Sequence, residues 1–169
     1  MGKYGEAPRG EAFKAQIAAI QSGVFDFELY PELWKGTSIT GFFRDKTWKV
    51  VRFCDPPPKK ISTKAGIYLF VVSPYCGGIK DHSYVFYVGQ TKNFSQRYKE
   101  YLYEKKGLGT NPRPKVVRFL NHFQDFLFFH FTEISESELN FAEDLLKDNL
   151  TPPGNDKKTI FGRLKTGED

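Results

Sequence analysis

Cysteine and histidine are scarce in this chain, and long apolar runs are absent. Cys54 and Cys76 are the only cysteines, and they lack Cys-x-x-Cys spacing. This points to a reduced intracellular protein and argues against zinc. His82, His122 and His130 are scattered, so no histidine cluster offers a transition-metal site. Met1 to Arg9 lacks the apolar core of a signal peptide, and no apolar run approaches the roughly 20 residues that a membrane span needs. No internal repeat or low-complexity tract is evident. The expectation is a soluble cytoplasmic protein with no membrane partner.

Positive charge is in excess, and its distribution says more than its total. Formal net charge is +5 and the sequence pI is about 9.1. Residues 35–64 carry eight Lys or Arg against two acids, and so do residues 92–118. Residues 133–148 reverse the balance, with six acids against Lys147 alone. Such blocks make one basic surface and one acidic element, and a basic surface attracts phosphate backbones by counterion release. Solvated helix and loop faces would show the same composition.

A chain of 169 residues allows one domain with a real core and a small appendage. Phe13, Ile17 and Ile20 have helical spacing within Glu11 to Gln21, and Gly23 ends that helix. Ile39 to Phe53 alternates as a hairpin does, with its turn near Asp45-Lys46. Pro56, Pro57 and Pro58 then break regular structure, giving an appendage at 1–60 and a second unit at 61–169. Ala65 to Ser73 reads as a buried strand and Tyr84 to Thr91 as its antiparallel partner, joined by a loop with Gly77 and Gly78. A helix capped by Asn93 or Ser95 follows, with Phe94, Tyr98, Tyr101 and Leu102 inward. Another helix spans Lys115 to about Gln124. Phe126 to Ile134 is a third strand, and Ser135 to Leu150 a third helix, opened by a Ser135/Glu138 capping box and stopped at Pro152-Pro153-Gly154.

Two charged residues fall on the apolar stripes of these helices. Arg97 lies three after Phe94 and four before Tyr101, and Glu143 lies four after Leu139 and three before Leu146. Burying a charge without a partner costs several kcal/mol, so each needs an opposite charge, a metal or water. One reading is a mutual Arg97 to Glu143 ion pair. The other places both in a polar cleft against the hairpin that carries Gly66-Ile67-Tyr68 and Tyr87-Val88-Gly89.

Such a cleft suits phosphodiester chemistry. A divalent cation neutralises the phosphate and acidifies a bound water, a base takes the proton, and a fixed cation stabilises the transition state. Glu143 could hold Mg²⁺, which takes one or two carboxylates and keeps several waters. Arg97 offers a planar fork that matches two phosphate oxygens. Tyr68 and Tyr87 are the candidate bases, although a phenol needs a neighbouring cation for that role. Either tyrosine could equally be a core aromatic with a satisfied hydroxyl.

With these residues in order, residues 65–155 resemble the GIY-YIG nuclease superfamily. The first motif reads Gly66-Ile67-Tyr68 and the second Tyr87-Val88-Gly89. The family's helix arginine falls on Arg97, a frequent lysine on Lys92, a His or Tyr position on Tyr101, the metal-binding glutamate on Glu143 and the closing asparagine on Asn155. The resemblance implies a small α/β (α+β) domain with a central three-stranded antiparallel sheet flanked by helices, cutting phosphodiesters with one Mg²⁺ or Mn²⁺ per site. It implies Glu143 as sole protein ligand, Arg97 on the scissile phosphate and Asn155 orienting the site. Gly66, Gly89 and Tyr101 fall with Arg97 at substrate-contacting positions. A tyrosine activates water, with Tyr68 the favoured base and Tyr87 its phosphate-contacting partner.

Eighteen residues separate Tyr68 from Tyr87, where the family usually has about ten, so Ser73 to Ser83 is an added loop that either contacts substrate or is a tolerated insertion. Compact members without recognition domains include restriction endonucleases that read duplex DNA as dimers. Sequence-specific cleavage of double-stranded DNA, with a homodimer compatible, is therefore the leading expectation. Lys35, Arg44, Lys46, Lys49, Arg52, Lys59 and Lys60, interleaved with Trp34, Phe42, Phe43 and Trp48, supply a candidate DNA-facing segment, although most of these aromatics are better suited to packing. A structure-specific or homing/phage-type nuclease, an RNA substrate and a non-catalytic nucleic-acid-binding module remain alternatives.

Overall fold

The computed structural model describes residues 37–74, 82–108 and 113–155. In chain order the elements are α1 (Thr37–Phe43), β1 (Lys49–Arg52), β2 (Gly66–Val72), β3 (Tyr84–Thr91), α2 (Phe94–Lys105), α3 (Pro114–His122), β4 (Leu127–Glu133), a short 3-10 turn (Glu136–Glu138) and α4 (Leu139–Leu150). The strands form one mixed-fold α/β sheet in the order β1-β4-β2-β3, with every neighbouring pair antiparallel.

Every residue of β2 is buried. Such a run of apolar and β-branched residues is stable as a strand covered on both faces, and alternation sends its side chains into two different cores. Tyr68, Phe70 and Val72 join the aromatic core under α2 and α3. Ile67, Leu69 and Val71 join a second, largely aliphatic core under α4, with Ile39, Phe42 and Phe43 of α1 against it. The sheet is thus a wall between two packed layers, and that separation governs the site.

The strands expected over 65–73, 84–91 and 126–134 are present, and a fourth joins them. The hairpin expected over 39–53 is not formed. Ile39, Phe42 and Phe43 have the i, i+3, i+4 spacing of a helix, and α1 lays that stripe on the second core, with Phe42 edge-on to Phe141 of α4 at 5.3 Å between centroids. Lys49–Arg52 then pairs with β4 rather than with its own sequence neighbours, Val50 lying opposite His130. The sheet therefore has four strands where three were expected. The helix expected over 11–21 and most of the loop at 73–83 lie outside the described residues.

The ends of the elements follow local chemistry. Asn93 caps α2 as expected, its side-chain oxygen accepting from the Gln96 N–H at 3.0 Å. The Ser135/Glu138 capping box does not form. The Ser135 hydroxyl bonds the Glu138 carboxylate side chain to side chain, while Ser135 makes no side-chain cap bond to the backbone, and the segment begins as a 3-10 turn. In β3, Phe70 pairs with Tyr87 and Val71 with Val85, so Phe86 is the extra residue of a bulge. The bulge puts both Phe86 and Tyr87 on the aromatic-core side, where Phe86 stacks on Phe119. Among the described residues no helix is long and apolar enough to cross a membrane.

Candidate active site

The site begins with the tyrosine of β2. Tyr68 is 1 % exposed, yet its hydroxyl is not idle. It lies 2.8 Å from the Tyr101 hydroxyl and accepts from Arg97 Nε at 3.2 Å. The helical stripe of α2 delivers both partners, since Arg97 and Tyr101 are four residues apart. Arg97 also donates from Nη1 to Glu100 at 2.7 Å, and its guanidinium lies 4.8 Å from the Tyr101 ring centroid. The inward charge that helical periodicity demands is therefore balanced by Glu100 and by two phenols. Tyr87, partly buried on β3, stacks on Tyr68 with centroids 6.3 Å apart.

Burial, reinforced by the Tyr87 phenol, pushes Tyr68 up to about 12 against the lowering pull of Arg97. Burial likewise holds Tyr101 well above the ordinary phenol range, with Tyr68 and Tyr87 adding to the effect. Burial alone works against the Arg97 charge, but the Tyr68 and Tyr101 phenols and the hydrogen bonds to Tyr68 and Glu100 outweigh it and raise the guanidinium overall. Glu100 resists its own burial in the same way and is lowered, chiefly through its hydrogen bond with Arg97.

The motif glycines make room for this cluster. Gly89 is the cross-strand partner of Tyr68, and a Cβ there would sit 2.3 Å from the Tyr68 oxygen. A Cβ on Gly66 would sit 2.1 Å from the Thr132 carbonyl oxygen and 2.4 Å from the Phe94 ring. The volume beside each glycine is filled from within the protein. Each glycine was expected at a substrate-contacting position, and the structure shows protein atoms close against both.

Glu143 is on the other side of the wall. It projects from α4, whose Leu139, Ala142 and Leu146 belong to the second core. Its side chain is 14 % exposed, with one oxygen 2.9 Å from Lys147 Nζ and the other accepting from Gln90 Nε2 at 2.8 Å. Gln90 also donates to the Asn140 side-chain oxygen at 2.7 Å. The mutual ion pair of Arg97 and Glu143 is therefore not formed. Both residues point at the hairpin, as their periodicity requires, but from opposite faces, so they flank it rather than share one cleft wall.

Asn155 and Lys92 occupy the rim. The Asn155 side-chain amide accepts from the Val88 N–H and donates to the Val88 carbonyl, both at 2.8 Å, so it mimics a paired strand residue on the outer edge of β3. Gly154 donates its N–H to the Phe86 carbonyl at 2.7 Å beside it. Lys92 is exposed and lies 2.8 Å from Glu136.

A hard divalent cation suits the donor set around Glu143. Glu143 could supply a carboxylate oxygen, and Mg²⁺ fills the rest of its shell with water, but the Lys147 ammonium or the Gln90 amide would have to give up its contact to make room. Among the described residues no group of three or more His, Cys, Asp or Glu could hold a metal.

Several residues of the site were not singled out in the sequence. Gln90 follows the second motif directly, and strand alternation places it with Val88 on the α4 side. Glu104 lies seven after Arg97 and three after Tyr101, so the periodicity that flags Arg97 flags it too. It is 8 % exposed and accepts from Arg113 Nη2 at 3.1 and 3.2 Å. Arg113, at the cap of α3, had no sequence signal beyond the proline that follows it.

In the search of solved structures, the chain is similar to two variants of the GIY-YIG N-terminal endonuclease domain of UvrC from Thermotoga maritima. One is a tyrosine-to-phenylalanine and the other an asparagine-to-alanine point mutant, each bound to its catalytic divalent cation. In both cases the identity is 19 %, the TM-score 0.40, and the match covers 58 % of this chain and 89 % of that domain. No protein-family model and no curated protein matches the sequence.

Proposed function

We propose that this chain is a divalent-metal-dependent endonuclease of the GIY-YIG type that hydrolyses DNA phosphodiester bonds. The observation that carries the reading is the Arg97 to Tyr68 hydrogen bond at 3.2 Å. It joins two motif elements 29 residues apart and places a cation and a phenol together where a core would otherwise be apolar.

The catalytic centre wraps around the outer strand of the sheet. Tyr87 lies on one side of the sheet and Glu143 on the other, so a phosphodiester bound there meets groups from both faces of the outer strand. Arg97, with a side chain 28 % exposed, holds the phosphate and offsets charge that develops in the transition state. Glu143 would hold the cation, with Gln90 and Asn140 beside it. When bound, the cation neutralises phosphate charge and lowers the pKa of a coordinated water. Tyr68 was the base favoured by the resemblance, but it is buried with its hydroxyl on Arg97 and Tyr101, so the proton of the attacking water is assigned instead to the partly exposed Tyr87. Lys92 supplies further positive charge at the rim, Tyr101 supports Arg97 through its ring, and Asn155 fixes the strand that carries Tyr87.

Restriction-type cleavage of double-stranded DNA is the subtype favoured by the basic run at 35–64, with a homodimer as the natural reader of a symmetric site. Phe42, Phe43 and Trp48 pack on the second core, so recognition falls to the charged residues between them. Incubating the protein with long phage DNA in Mg²⁺ and, in parallel, in EDTA tests the proposal. Metal-dependent discrete bands are expected, and intact DNA of every form offered would overturn it.

A further inference from the structure

The phenols of this site are held by two parallel sets of residues. In one, Tyr68 accepts from Arg97, which is paired with Glu100. In the other, the Tyr87 oxygen accepts from Arg113 Nη1 at 2.9 Å, and Arg113 Nη2 is paired with both oxygens of Glu104. The two sets meet at Tyr101, with the Arg97 and Arg113 guanidinium carbons 4.8 and 5.0 Å from its ring centroid. Tyr68, Tyr87, Arg97 and Tyr101 fall on positions carried over from the GIY-YIG resemblance, whereas Glu100, Glu104 and Arg113 do not.

We propose that Arg113, anchored by Glu104, is a positioning residue for Tyr87: it fixes the phenol oxygen at the outer strand in the orientation that proton transfer requires. This rests on the role given to Tyr87 above. Three observations support positioning over direct phosphate binding. One guanidinium nitrogen is committed to Tyr87 and another to Glu104. The guanidinium also lies over two rings, 5.5 Å from the Tyr87 centroid as well as 5.0 Å from that of Tyr101. Finally, Glu104 is buried and both of its oxygens accept from Arg113 Nη2, which holds the guanidinium in one orientation against Tyr87.

The experiment combines tyrosine NMR with cleavage kinetics on the full chain. Protein labelled with ¹³C at tyrosine Cζ is compared as wild type, Arg113→Lys and Glu104→Gln, with Tyr87→Phe to assign the resonance and thermal melting to establish folding. Arg113→Lys keeps the charge but loses the forked geometry, and Glu104→Gln keeps the volume. The Tyr87 resonance is expected to move in both variants while that of Tyr68 stays. With Mg²⁺ and DNA, kcat is expected to fall about 10²-fold at an unchanged KM, the scale of a misplaced reacting group. An unmoved Tyr87 resonance overturns the proposal, as does a raised KM at an unchanged kcat, which would make Arg113 a substrate-binding group. A displaced resonance in a protein that cuts no DNA would uphold the Arg113 to Tyr87 coupling and refute the nuclease reading alone.

Discussion

Tyr68 and Gly89 are cross-strand partners, and the phenol of one occupies the space that any side chain on the other would need. The last glycine of the second motif is thereby explained by the tyrosine of the first. The two motifs are halves of one packing unit, which sets the Tyr68 oxygen against Arg97.

Gly89→Ala should therefore destabilise the protein by about 1–3 kcal/mol, as overpacking of a filled core does. The obstruction is a ring held on two sides, by Arg97 and by Tyr101, so it does not swing aside freely. Urea unfolding measures the effect, and an unchanged midpoint would show that the ring relocates.

Asn155→Ala removes two hydrogen bonds to Val88 and should destabilise by about 1–3 kcal/mol. Asn155→Asp keeps the acceptor for the Val88 N–H but turns a carboxylate oxygen toward the Val88 carbonyl, so it should not restore stability. Equal midpoints for Asp and Asn would contradict the paired-amide arrangement.

Glu133 gives the fold an acid-sensitive tie. Its carboxylate accepts from Lys49, Lys64 and Ser62, and these bonds lower it from 4.5 to about 2. A carboxyl lowered in the folded state contributes stability that is complete above its unfolded value and is lost as pH falls from about 4.5 toward about 2. The stability of Glu133→Gln should fall less steeply than wild type across that window. Parallel acid limbs would remove Glu133 from the account of acid unfolding.

Arg97→Lys should lower kcat by about 10²-fold or more, because an ammonium cannot reproduce the simultaneous contacts to Tyr68 and Glu100. Single-turnover kinetics at saturating DNA would separate this from weakened binding. An unchanged rate would leave Arg97 a packing residue.

Much of this was legible because helical and strand periodicities act locally. Arg97 and Glu143 were marked as inward charges by spacing alone, and both are partly buried against the hairpin. Which face of the hairpin each meets was not legible, because that depends on how two helices distant in sequence pack on the sheet. β1 was read as the second arm of a hairpin, and its true partner was not legible for the same reason. Its four residues pair with a strand whose register, Lys49 opposite Phe131, is fixed by tertiary contacts. α1 was misread because β-branched and aromatic residues raise strand propensity locally, whereas its i, i+3, i+4 stripe had a core to cover.

The most direct test of the proposed nuclease site is Glu143→Gln in two assays on the same DNA, Mg²⁺-dependent cleavage and equilibrium binding in EDTA. Glutamine retains the volume and the capacity to bond Gln90 but lacks the carboxylate a divalent cation needs. The expected result is loss of cleavage with binding preserved. Robust Mg²⁺-dependent cleavage by the variant would contradict metal ligation by Glu143 and, with it, the catalytic centre placed around the outer strand.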